Sequence, residues 1–172
     1  LAPNPLLALM HGVETAQGWG HRCIVVGDMN IRIGDLCCDV PEQFAAVPEG
    51  VHPALGAAAV DPVLYDGVPR PRHSSDQDVT RGQGGHLMEC LQAACLVVLN
   101  GRAPGDEQGA ATYIQPPGRG RGVQGSSVVD LVCVSASCYR CVQSFTVAGG
   151  YPELSADLCQ LLLEMTLPTN VV

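Results

Sequence analysis

An apolar run that ends at a glycine, with an acid and an amide just beyond it, fixes the first element of this chain. Cys23-Ile24-Val25-Val26 favours a strand, and Gly27-Asp28-Met29-Asn30 follows directly. A short apolar run rich in β-branched residues reads as a strand. The first polar side chains past the carboxyl end of a strand in an α/β sheet reach the crevice where ligands bind. Asp28 and Asn30 are two residues apart, so side-chain alternation predicts that both leave on the same side. An acid that takes a proton, beside an amide that donates and accepts, can hold a water for attack on an ester. The strand end is therefore the candidate active site.

Other elements group around it. Asn4 before Pro5 is a helix start, with a capping side chain and then proline at the first helical position. Leu6, Leu9, Met10 and Val13 carry the helical stripe to Gly18. From Leu36 to Gly85 periodicity fades and prolines recur between Pro41 and Pro71, which predicts a long surface excursion. It would carry short helices around Phe44 and Leu55 and a Pro/Ala-rich insertion across residues 41–71. Leu87, Leu91, Ala94 and Cys95 then line a helix that opens after Gly84-Gly85. Strands follow at Leu96–Leu99, Thr112–Ile114, Ser127–Val134 and Ser144–Val147, and Cys159–Leu167 is strand or helix. Trp19, between glycines, reads as a packing anchor for the loop before the first strand. With no repeat and no linker, residues 1–172 form a single α/β layer structure.

Charge and cysteine usage narrow the function classes. The formal charge is −8, and all nine basic residues are arginines. An acidic chain is poorly suited to bind nucleic acid through general phosphate neutralisation, so a nucleic-acid site would have to be local or lie elsewhere. The nine cysteines sit mostly inside apolar runs, which suits free thiols acting as small hydrophobes in a reducing, intracellular setting. Cys133, Cys138 and Cys141, or His86 with Cys90, lack the paired spacing of zinc sites. No segment approaches the ~18 apolar residues of a membrane span, and Leu6–Met10 has no basic residue before it as a signal peptide would. A start at Leu1 reads as a fragment.

Read in order, four stretches resemble the endonuclease/exonuclease/phosphatase superfamily, its retrotransposon-type endonuclease branch in particular. Val25-Val26-Gly27-Asp28-Met29-Asn30 is similar to the family's Gly-Asp-Phe-Asn strand end. Arg72-His73-Ser74-Ser75-Asp76, Arg81-Gly82 and His86-Leu87-Met88-Glu89-Cys90 resemble its link into a long helix. Leu96 to Arg102, with Gly105-Asp106 and Gly109 to Thr112, resembles the strand and turn that follow. Ser126-Ser127-Val128-Val129-Asp130-Leu131-Val132 resembles the Ser-x-x-Asp-Tyr strand. The resemblance implies a four-layer α/β sandwich, incomplete here at its N-terminus, that hydrolyses phosphodiesters of DNA with Mg2+ or Mn2+. It implies that Asp28 deprotonates the attacking water, Asn30 holds that water or a phosphate oxygen, and Asp130 positions a histidine. Asp157 matches the acid of the closing Ser-Asp-His motif and would be a catalytic or metal-binding residue.

That closing motif departs from the family. Leu158 stands where the histidine belongs and Gln160 replaces a proline, and no histidine follows His86. Loss of a proton-transfer group costs about a hundred- to ten-thousand-fold in rate. The family's metal-binding glutamate and early asparagine lie further upstream than the 27 residues before Asp28 allow, and Glu14 is a poor substitute. Three readings stay open: an impaired metal-dependent endonuclease, a non-catalytic descendant that serves as a binding module or is decaying, and a small-molecule phosphatase. Asp76, Asp78 and Asp106 read as loop and cap residues, and Gly118-Arg119-Gly120-Arg121-Gly122 as a hairpin tip. Asp130, among valines and leucines, is expected to be protonated or paired with an arginine.

Overall fold

The computed structural model describes residues 4–41, 65–115, 126–149 and 159–166. Helix α1 spans Pro5–Gly18. The Asn4 side chain accepts from the Leu6 N–H at 3.0 Å, Pro5 occupies the first turn, and Met10 and Val13 are buried. Strand β1 is Ile24–Asp28 and helix α2 is Gly84–Ala93, which buries Leu87, Met88 and Leu91. Strands β2 (Leu96–Val98), β3 (Tyr113–Ile114), β4 (Ser126–Ser127) and β5 (Asp130–Ser135) follow. A 3-10 helix at Ala136–Cys141 leads into β6 (Val142–Ala148), and β7 is Gln160–Met165.

The main sheet has the order β1-β5-β2, and β5 runs antiparallel to both neighbours. Being central, β5 is buried on both faces. Leu131 and Cys133 join Val25, Leu96 and Val98 in a core covered by the two helices. Val132 and Val134 join Val97, Leu99, Tyr139 and Phe145 in a second core on the opposite face. Partly buried side chains of the β6-β7 pair, such as Val147 and Leu163, close that second core. Two adjacent residues of one strand thus feed two separate cores. The class is mixed helix and antiparallel sheet.

Three expectations need correction. The stretch Ser127–Val134 is two strands, because Val128 and Val129 leave the ladder. The Val128 N–H donates to Asp76, and the Val129 and Asp130 N–H groups donate to the Thr112 hydroxyl. Trp19, expected to anchor the loop before the first strand by packing, is 74% exposed, with its ring edge-on to His21. The excursion after Leu36 is not confined to the surface: Val40, Tyr65 and Val68 are core residues. The short helices expected around Phe44 and Leu55, and most of the insertion, lie outside the described residues.

What fastens the excursion is charge. Asp39 and Arg102 are fully buried and form two hydrogen bonds of 2.7 and 2.9 Å, while Asp39 also accepts from the Val98 N–H. Arg102 donates further to the Val98 and Arg70 carbonyls. Breaking a buried pair leaves an uncompensated charge, which costs about 3–5 kcal/mol, whereas replacing both members with apolar groups is often close to neutral. Asp39→Ala should lower the unfolding free energy by about that amount. In urea titrations Asp39→Ala combined with Arg102→Met should recover much of the loss; an additive double variant would show that the pair is not coupled.

Candidate functional site around Asp28 and Asp130

Asp28 ends β1 and Asp130 opens β5, and the register sets them directly opposite each other. The Met29 N–H donates to the Val129 carbonyl at 2.9 Å, one position further on. Antiparallel pairs alternate, so Asp28 and Asp130 form a non-hydrogen-bonded pair, the type that brings Cα atoms to about 4.5 Å and side chains closest. Two carboxylates therefore face each other across the strand ends. Like charges in this position are destabilising.

Asn30 is held differently from the sequence expectation. Its φ of +49° takes the chain out of the extended conformation, so strand alternation no longer sets its direction. Instead its N–H donates to the Asp28 carboxylate at 2.8 Å in a local turn. Asparagine tolerates the left-handed region better than most residues, which suits it to this turn. Asp28 and Asn30 are exposed, and Asp130 is half-buried.

Asp130 is fixed by its own backbone. Its N–H donates to the Thr112 hydroxyl, and its carbonyl accepts from the Asn100 side chain at 3.1 Å. The Asn100 oxygen in turn accepts from the Val132 N–H at 2.9 Å, so one buried amide clamps the start of β5. The Asp130 carboxylate bonds the Thr112 hydroxyl, but its Oδ2 is buried without a partner. Burial pushes the Asp130 carboxyl above the usual carboxylate range, the Thr112 bond opposes this, and repulsion from Asp28 adds to it. The arginine pairing expected for Asp130 is not what the described residues provide. Arg32 pairs with Asp76 and Asp78, and Arg102 pairs with Asp39.

Asp76 and Asp106 hold loops. Asp76 takes a bidentate bond from Arg32 at 2.7 and 2.6 Å, together with the Val128 and Asp78 N–H groups. Burial alone would raise its pKa, but those donors bring it below the usual range. Asp106 accepts from the Gly101 and Ala110 N–H groups. Gly101, at φ +73°, packs its α-carbon against the His73 carbonyl, where a side chain would collide with backbone. Sequence reading found Asn100-Gly101 as a turn and missed the clamp; the available signal was an amide directly after four apolar residues.

A cleft of about 380 Å³ opens beside Asp28. The starts of α1 and α2 form two of its sides and Met29 to Ile31 a third. Glu14 is exposed on α1 and does not line it. Among the described residues no group of three His, Cys, Asp or Glu side chains converges as a metal site, and no helix is long and apolar enough to cross a membrane. Asp157, Leu158 and the Gly118–Gly122 run lie outside the described residues.

Comparisons with protein-family models, curated proteins and solved structures gave no match to this chain.

The facing carboxylates make a pH prediction. A carboxyl raised in the folded chain binds its proton more tightly there than in the unfolded chain, so it subtracts stability as pH rises through its folded-state titration. Asp130→Asn removes that charge. It should stabilise the chain near pH 7 by about 0.5 kcal/mol, with the gain fading toward low pH as the parent Asp130 carboxyl protonates. Unfolding curves at neutral and at low pH test this; a gain that does not change with pH would remove Asp28 repulsion as its cause.

Proposed function

We propose that the chain carries the remnant of a divalent-metal-dependent phosphodiesterase site, of the retroelement DNA endonuclease type, with catalysis impaired. The observation that carries this reading is the Asp28–Asp130 pair, set opposite each other at the strand ends, with Asp28 lining a cleft. An unrelieved like-charge pair costs stability, and such costs gather at functional sites. Under this reading Asp28, exposed at the strand end, accepts the proton of an attacking water. The Asn30 side chain orients that water or a phosphate oxygen. Asp130 is a positioning residue, held by Asn100 and Thr112.

The donor set suits a hard divalent cation in part. Magnesium is commonly held by one or two carboxylates, with water and substrate phosphate filling the remaining positions. The proposed carboxylate ligand is Asp157; among the described residues no three metal-ligating side chains converge, and Asp28 and Asp130 keep the roles just given. When bound, Mg2+ or Mn2+ would neutralise charge on the phosphoryl oxygens. The four-layer sandwich, a DNA substrate and the endonuclease ancestry all belong to this proposal.

A second reading has its own observation. Leu158 can neither donate to a phosphate nor carry a proton, and no histidine follows His86. A chain of this kind can persist as a non-catalytic binding module.

Supercoiled plasmid with magnesium separates the two. Slow nicking is expected, abolished by Asp28→Ala and raised about a hundredfold or more by Leu158→His. Absence of nicking in both the parent chain and Leu158→His would favour the binding module.

A further inference from the structure

The cleft beside Asp28 has a chemistry that the two carboxylates do not use. Leu6, Leu9, Met29 and Ile31 form much of its wall, and among the described residues Asp28 is the only charged one that lines it. Among the described residues no arginine lines it, so none of them can hold a phosphodiester there by charge. The side-chain amides of Asn30 and Gln83 border it, and neither has a hydrogen-bond partner among the described residues. Each amide offers both a donor and an acceptor.

We propose that this cleft receives a nucleobase of the bound nucleic acid, while the phosphodiester stays outside it. The proposal rests on the phosphodiesterase reading for the identity of the chain that carries the base. A nucleobase has apolar faces and an edge of donors and acceptors. The faces would lie against leucine, isoleucine and the polarisable methionine, and the edge would meet the two amides. A neutral ring beside Asp28 meets no charge repulsion, whereas a phosphate in the same space would. At about 380 Å³ the cleft falls within the usual range for small-ligand sites. An aliphatic side chain or acyl tail in its place would leave both amides unpaired, which opposes its binding.

The probes are the fluorescent nucleoside of 2-aminopurine, which has no phosphate, and deoxyribose 5-phosphate, which has no base. The full chain should bind the nucleoside saturably, with its emission quenched, and deoxyribose phosphate should not compete. Gln83→Leu, an exposed position that should not affect folding, should weaken nucleoside binding roughly five- to tenfold, the loss of one neutral hydrogen bond. Leu9→Trp should weaken it further by filling the cleft, with circular dichroism reporting whether that variant is folded. Competition by deoxyribose phosphate, or binding unchanged in Gln83→Leu, overturns the nucleobase site. Plasmid nicking without nucleoside binding overturns it too and leaves the endonuclease reading in place. Nucleoside binding without nicking upholds the site and overturns the catalytic reading instead.

Discussion

The start of β5 is the constraint on which the rest of the structure depends. A central strand buried on both faces must satisfy each backbone donor, because an unpaired buried N–H costs about as much as a lost hydrogen bond. At this end the ladder does not supply the partners. Val128 turns to Asp76, Val129 and Asp130 to the Thr112 hydroxyl, and Val132 to Asn100. Three side chains from three separate segments therefore converge on four of the five residues from Val128 to Val132. Asp76 is available only because Arg32 neutralises it, which links the residues just after β1 to the strand that pairs with it. Any slip of β5 by one residue would exchange its two faces between the cores and break all of these contacts together.

This scaffold explains the position of the facing carboxylates. Asp28 is carried to the end of β1 by ordinary ladder pairing, whereas Asp130 is held in place by the amide and hydroxyl around its backbone. Neither residue selects the geometry for its own benefit. The repulsion between them is sustained by core packing on both sides of β5, and the two roles, support and chemistry, fall on different residues.

Much of this was legible from local patterns. The Asn4-Pro5 start and the Gly18 end of α1 were readable because capping is a local property. The apolar run Leu131 to Val134 was legible as strand, and Asp28 stood out by its position after an apolar run. What stayed hidden depends on partners far away in sequence. Thr112 lies 18 residues from Asp130, Asp76 lies 52 from Val128, and Asp39 lies 63 from Arg102. No periodicity reports such pairings. For the same reason Asp39 and Arg72 looked like residues of a surface excursion, although both are buried. Asn30 was noticed for its side chain, while its positive φ was invisible in the residue pattern.

The inward use of arginine has a consequence of its own. Arg32 is tied to Asp76 and Asp78, Arg72 to the Leu36 and Asn100 carbonyls, and Arg102 to Asp39. Arg32 and Arg102 already have their anions inside the fold, and Arg72 has two carbonyl acceptors there. A polyanion that approached this side of the molecule would displace few of its condensed counterions, because those charges are spent on the chain itself. Arg32, Arg72 and Arg102 would then add little to the steep salt dependence by which proteins grip nucleic-acid backbones with free cations.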